Sequence, residues 1–370
     1  IAAKPARKII GLMSGTLFDG LDIALCEFHG SGLGTQIKVV NFITKDYKPE
    51  FKENLKSIFA KKFADLEKIT LLNAIIGNYY AELILECLGD WKMSPHDIDL
   101  IASHGQTIYH APAHQHQISG YPNATLQIGD ADHLAMKTGI ITLSDFRQKH
   151  IAAGGEGAPL AVYGDYLIFS SATENRIMLN IGGIANFTFL PSGHSTGFFS
   201  SDVGPGNTLM DQYVQQNFPN QYYDKDAAIA SAGSVNIALL KELFNLQYLQ
   251  NAINKTNNQS LAVADVLATL CQFSASAIIA AIKKCFTSAQ QPVIYISGGG
   301  LYNPLLVKHL KDGLPFAKFG DTAQLGINPD AKEALLFAVL ANESICGEAI
   351  SFGNKNGIPE TCMGKISFPG

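Results

Sequence analysis

Two stretches of this chain share one plan: an apolar strand, a short polar turn containing glycine, and a return strand. The first runs Lys8–Leu12, turns over Met13–Gly20 and returns as Leu21–Phe28. The second runs Arg176–Ile181, turns through Gly182 and Gly183 and returns as Ala185–Leu190. They lie about a domain's length apart, and each opens a set of strands followed by helices. That is the trace expected of a duplicated lobe with a cleft between the copies. At 370 residues the chain exceeds the size at which one hydrophobic core stops growing, so two domains are expected.

The rest of the pattern is α/β. Short apolar runs ending in Gly, Asp or Asn turns alternate with long helical stretches. Leu66, Ile69, Leu72, Ile76 and Tyr80 recur at helical spacing inside Ala64–Leu88. Leu261–Lys284 is apolar almost all round and reads as a buried helix. Strands are expected at Asp99–Ser103, Ile140–Leu143 and Val293–Ser297. Asn303 and Pro304 open a helix as N-cap and first residue, and Asn328-Pro329-Asp330 repeats that opening for a helix through Leu340. Asn245–Ser260 is polar and reads as a surface loop.

With 47% hydrophobic and 16% charged residues the chain suits a large core and not disorder. Its formal net charge of −5 offers no basic face for nucleic acid or anionic lipid. Phosphate binding would therefore come from backbone amides, helix ends and a metal ion. The six cysteines are scattered without a C-x-x-C pair, as in reduced cytosolic proteins. No run approaches the roughly 18 consecutive apolar residues of a membrane span, and Ile1–Ile10 lacks the apolar core of a secretion signal. A cytoplasmic protein is expected.

Four constellations could carry chemistry. In the first turn, Ser14, Gly15 and Thr16 can aim amides and hydroxyls at one anion, Asp19 could orient a metal-bound water, and Gly20 and Asp22 follow. The bland alternative is an ordinary hairpin turn. In the second, Gly182 and Gly183 could present amides to another phosphate, with Asn186 as a side-chain donor; a bulge or tight turn would look the same. Asp202, ahead of Gly204-Pro205-Gly206, could act as a general base or simply form a turn. Gly298, Gly299 and Gly300 follow a strand and would let a flat ring such as adenine lie against backbone, or would make a plain strand-to-helix turn. There is no Walker A run and no G-x-S-x-G elbow. His104, His110, His114, His116 and His133 offer no i, i+4 pair on a predicted helix, and the metal ligands are not legible.

Taken together these segments resemble the anhydro-N-acetylmuramic acid kinase family. The runs that carry the resemblance are IGLMSGT (10–16), SHGQT (103–107), LQIGD (126–130), Asp145-Phe146-Arg147, LNIGGIAN (179–186), GPGN (204–207), SGGG (297–300) and PDAKEA (329–334). They keep the family's order and spacing from about Ile9 to Gly347. The resemblance implies a two-lobe, actin-like (RNase H-like) ATPase fold with an interdomain cleft. It implies lobe I over 1–128 plus 340–370 and lobe II over 129–339. It also implies a bacterial enzyme of peptidoglycan recycling, which uses ATP and Mg²⁺ to open 1,6-anhydro-N-acetylmuramic acid and give N-acetylmuramic acid 6-phosphate. On this resemblance Asp202 takes the general-base position, and Gln106, Arg147 and Glu333 fall on sugar-contact positions. The implied partners are an amino sugar and ATP, with no nucleic acid or membrane and with a homodimer left open. The chain departs from the family's usual residues at Leu17 (Ser), Val203 (Thr), Glu156 (Gln), His150 (Asp) and Ala227 (Gly). Lys255–Gln259 also departs from the family's Lys-Ser-Thr-Gly-Arg stretch. Two other readings remain: a catalytically weak ATP-binding protein of actin fold, and a kinase of another amino sugar.

Overall fold

The structure, a computed structural model, describes residues 1–15, 18–194, 197–245, 261–286, 291–349 and 358–370. Thr16, Leu17 and, past Asn245, the surface loop expected through Ser260 (with its 255–259 stretch) therefore lie outside the described residues. The chain forms two compact units, 1–170 with 331–370, and 171–330.

In the first unit, strands β1 (Arg7–Ser14), β2 (Gly20–His29) and β3 (Gln36–Asp46) form an antiparallel meander. Strands β4 (Leu100–Ser103), β5 (Gln106–Ala111), β6 (Ala124–Ile128) and β7 (Thr142–Ser144) follow. β4 pairs parallel to β1, and β7 parallel to β4, while β5 and β6 form a separate ribbon. The C-terminal strand Lys365–Ser367 closes the sheet edge antiparallel to β7. β1 is buried along nearly its whole length, which is why it reads as a continuous apolar run. Its residues Ile10 and Leu12 share a core with Leu72, Ile76, Tyr80 and Ile84 of the helix Leu66–Asp90.

The second unit repeats the plan. Strands β8 (Arg176–Ile181), β9 (Ile184–Leu190) and β10 (Phe199–Pro205) form a meander, and β11 (Val293–Ser297) and β12 (Lys318–Asp321) extend the sheet parallel to β8. The order is β10-β9-β8-β11-β12, and in the first unit β3-β2-β1-β4-β7. Identical order and identical parallel or antiparallel pairing make this a duplicated RNase H-like topology, although the two sequences show little likeness.

The helices Leu66–Asp90 and Val263–Cys285 are long and apolar enough to cross a bilayer by length and composition. Each instead buries side chains in its own unit's core, the second through Val266, Leu270, Ile278 and Ile282. Burial of each such side chain contributes about 1.5–3 kcal/mol. Asn303 caps the helix Pro304–Gly313 as its sequence predicts, accepting from the Leu306 amide at 2.9 Å.

Two expectations change. The units do not divide at 128/129 and 339/340, because β7 and the helix Ala161–Phe169 belong to the first unit and the helix Lys332–Cys346 packs across β1, β2 and β4. That helix also starts later than Asn328-Pro329-Asp330 suggests: Asn328 takes the Asp330 amide in a local turn, and Ala331 precedes the helix with no side-chain cap. A third point explains a departure. Ala227, where the family usually has glycine, sits at φ 52°, a left-handed conformation that glycine adopts without cost.

The packing of β1 on the helix Lys332–Cys346 leaves no room at Gly11, where a Cβ would stand 2.0 Å from the carbonyl oxygen of Ala334. Among the described residues, nothing lies within 4 Å of a Cβ at Gly15. Gly11→Ala should therefore lower the unfolding free energy by about 3 kcal/mol, and Gly15→Ala by less than about 1. Urea titration of both variants checks this.

Candidate active site

In open α/β sheets ligands bind beyond the carboxyl ends of parallel strands. In the second unit that edge gathers several glycine runs. The carbonyl of Gly183 accepts from the Gly206 amide at 2.9 Å and from Thr208 at 3.3 Å, and the carbonyl of Gly182 accepts from Asn207 at 2.9 Å. Among the described residues neither the Gly182 nor the Gly183 amide takes part in a turn or cap bond. Their carbonyls are spent on the start of the helix Thr208–Asn217, and their N–H groups remain for an anion. Gly206 must be glycine, since a Cβ would lie 2.3 Å from the Gly182 oxygen.

The Gly298–Gly300 turn packs on the same strand end. A Cβ at Gly298 would meet the Ile181 oxygen at 2.9 Å, and one at Gly300 would meet the Ile181 side chain at 2.3 Å. Two of the three glycines are thus demanded by packing on β8 itself. Gly299 is exposed and faces the Asn207 amide group with ordinary space. Gly206 and Asn207 belong to this cradle, a role their sequence did not reveal; the signal was the run GPGN.

Asp202 lies in β10, not in a turn after the strand. It pairs with Asn186 across β9, and the register shifts between Asp202 and Gly204. The bulge lets neighbouring side chains diverge. Val203 packs against the core, while Asp202 is exposed. Among the described residues no group hydrogen-bonds or ion-pairs with the Asp202 carboxylate, and none hydrogen-bonds with the Asn186 side chain. A carboxylate held on a strand with its lone pairs unused is free to take a proton from a ligand.

In the first unit, Ser14 ends β1 and Gly15 opens the turn. Ser14 is buried, and its hydroxyl donates to Gln106 Oε1 at 2.5 Å. Gln106 is fully buried, so its amide serves this bond in the present arrangement. Asp19 is exposed and accepts from the Gly20 amide at 3.1 Å. Asp22, on β2, accepts from Thr44 Oγ1 on β3 at 2.6 Å. Glu333 is exposed in the first turn of its helix, next to Lys332, whose ammonium makes a buried 2.9 Å ion pair with Asp165.

Arg147 is locked from two sides. Its Nε donates to His104 Nε2 at 2.8 Å and one terminal nitrogen donates to the Gly157 carbonyl at 2.7 Å. His104 Nδ1 lies 2.9 Å from the Gly105 carbonyl, so that nitrogen carries the proton and Nε2 keeps a lone pair for Arg147. The Gly157 amide in turn donates to His150 Nδ1 at 2.9 Å. A neutral imidazole thus serves as acceptor where the family commonly has Asp. Burial, reinforced by the Arg147 charge, lowers the pKa of His104 to about 3 and of His150 to about 4. Among the described residues no three His, Cys, Asp or Glu side chains converge as a metal site.

The repeated RNase H-like unit, with a glycine turn joining the first two strands of each copy, defines the actin-like class of ATPases and kinases. A model of the anhydro-N-acetylmuramic acid kinase family matches residues 7–244 and 240–362. The anhydro-N-acetylmuramic acid kinase of Pseudoalteromonas translucida (strain TAC 125) is 53% identical over 388 residues, covering 99% of this chain and 97% of that protein. The enzyme of the same name from Pseudoalteromonas atlantica is 54% identical over 389 residues, covering 100% and 97%. That of Caldanaerobacter subterraneus subsp. tengcongensis is 36% identical over 393 residues, covering 99% and 98%. The chain belongs to the anhydro-N-acetylmuramic acid kinase family.

Both histidines have folded-state pKa values below the unfolded value of about 6.5. The unfolded chain therefore binds more protons on acidification. The stability they confer is complete above about pH 6.5 and is lost as pH falls toward about 4 for His150 and about 3 for His104. Urea midpoints measured from pH 7.5 to 4.5 should fall steeply for the native chain and less steeply for a His104→Gln, His150→Gln double variant. Equal slopes would contradict this.

Proposed function

We propose that the chain phosphorylates 1,6-anhydro-N-acetylmuramic acid with ATP and water, giving N-acetylmuramic acid 6-phosphate and ADP. One observation carries the reading beyond family membership. Among the described residues, the second unit presents two glycine amides outside any turn or cap bond at the end of a parallel strand, and the exposed Asp202 carboxylate on the same sheet has no protein partner.

In this reading Gly182 and Gly183 hold one part of the polyphosphate by their N–H groups, and Gly299 with Asn207 borders the adenosine. Ser14 and Gly15, with Thr16 outside the described residues, open a second phosphate-binding turn. Asp202 accepts a proton from the water that attacks the anomeric carbon. The C1–O6 bond breaks, and O6 takes the γ-phosphoryl group. Phosphoryl transfer requires little covalent help and much positioning, which fixed backbone amides supply. Arg147, held rigid by His104 and Gly157, and the exposed Glu333 contact the sugar. Gln106 contributes through Ser14.

Mg²⁺, when bound with the nucleotide, would supply positive charge against that developing in the transfer. The residues present fit an ion carried mostly by the nucleotide: Asp19 is a single exposed carboxylate beside the first turn, suited to holding one bound water. The cytoplasm, where ATP is available and the described cysteines stay free thiols, is the compartment that suits this reaction.

The test is turnover of the anhydro sugar with Mg-ATP, followed as the 6-phosphate. Asp202→Asn should lower kcat by about 10²–10⁴-fold and leave ATP affinity within about twofold, because a base acts on the transition state more than on ground-state nucleotide. A variant with native kcat would remove Asp202 from its role. Turnover of N-acetylglucosamine without turnover of the anhydro sugar would favour a kinase of another amino sugar.

A further inference from the structure

In the first unit a chain of buried groups leads to Ser14 and Gln106 from two tyrosines that have no part in the reaction above. Tyr47, just past β3, donates its phenol proton to Ser14 Oγ at 2.8 Å, and Ser14 donates to Gln106 Oε1. The Tyr80 hydroxyl, from the helix Leu66–Asp90, lies 3.0 Å from that of Tyr47. A phenol has one proton, and that of Tyr47 is given to Ser14, so the proton in this bond belongs to Tyr80. The order is Tyr80 to Tyr47 to Ser14 to Gln106. Ser14 and Tyr47 are 3% exposed, Tyr80 1% and Gln106 0%, so each bond forms away from competing water.

Tyr47 also grips the other end of the turn, since its backbone amide donates to the Asp19 carbonyl at 3.1 Å. One residue therefore brackets the turn, through Ser14 before it and Asp19 after it. The ring is held independently of the hydroxyl, edge-on to Phe51 with centroids 4.8 Å apart and stacked on Tyr80 at 6.4 Å. Burial keeps both phenols protonated, with Tyr80 pushed up to about 12 and Tyr47 raised well above its ordinary value.

We propose that Tyr47 and Tyr80 are positioning residues of the phosphoryl transfer: their hydroxyl relay fixes Ser14 and Gln106 where the first phosphate-binding turn begins. The inference rests on the reading of residues 14–20 as a phosphate turn. A Ser14 hydroxyl fixed before the nucleotide arrives does not reorganise during transfer, so the relay acts on kcat more than on ground-state binding.

Tyr47→Phe keeps the ring and the backbone bond and removes only the proton given to Ser14. It should lower kcat about five- to tenfold with the sugar KM within twofold, in line with the loss of one net hydrogen bond. Ser14→Ala should do the same, and the double variant should be no worse than either single one, because both cut one relay. Native kcat in Tyr47→Phe, even with a lowered melting temperature, would reduce the relay to a structural feature and overturn the proposal. So would effects that multiply in the double variant. Gly15→Val, with nothing among the described residues within 4 Å of its Cβ, separates the two readings. If it leaves ATP affinity unchanged, the phosphate-turn reading fails and the relay with it. If it weakens ATP at least tenfold while Tyr47→Phe is silent, only the relay fails.

Discussion

The pairing of the Gly182 and Gly183 carbonyls with the amides of Gly206, Asn207 and Thr208 governs the second unit's functional edge. With those carbonyls turned toward the helix start, the two glycine amides make no turn or cap bond among the described residues. These bonds begin at Gly206, directly after β10, whose bulge lies between Asp202 and Gly204. Gly298 and Gly300 then pack directly against the last residue of β8. A side chain at Gly206 would force these pieces apart at once.

The two units use one topology and hold their turns by different means. In the second unit backbone holds backbone, and small residues make the close approach possible. In the first, side chains do the work: Tyr47 brackets the turn and Ser14 is tied to Gln106. The difference follows from the residues that each copy offers. The second hairpin has glycines with a facing Gly-Pro-Gly-Asn run, while the first has hydroxyls and a buried aromatic layer. Neither arrangement depends on a field of lysines or arginines, in keeping with a chain of net charge −5.

Much of this was legible from the residues alone. The hairpins, the buried helix over Val263–Cys285 and the Asn303 cap follow from periodicity and local capping chemistry. The division between units did not, because β7 owes its place to pairing with β4, a contact across distant sequence that no local pattern encodes. The helix start after Asn328 misled for a different reason: an Asn side chain that closes a turn on Asp330 looks in sequence like one that caps a helix. The grip of His104 on Arg147 and the relay through Tyr80 are likewise products of the fold. Histidine and tyrosine carry no spacing rule that announces a partner 43 or 33 residues away. Gly206 and Asn207 stood inside a recognised run, yet their part in the glycine cradle appears only when β8 and the helix Thr208–Asn217 are seen together.

In the proposed function, the nucleotide is bound by backbone amides of this glycine cradle that make no turn or cap bond among the described residues. ATP affinity of Gly206→Ala, measured by titration calorimetry on protein whose circular dichroism matches the native chain, tests it most directly. ATP binding at least tenfold weaker is expected. An affinity equal to that of the native chain would contradict it.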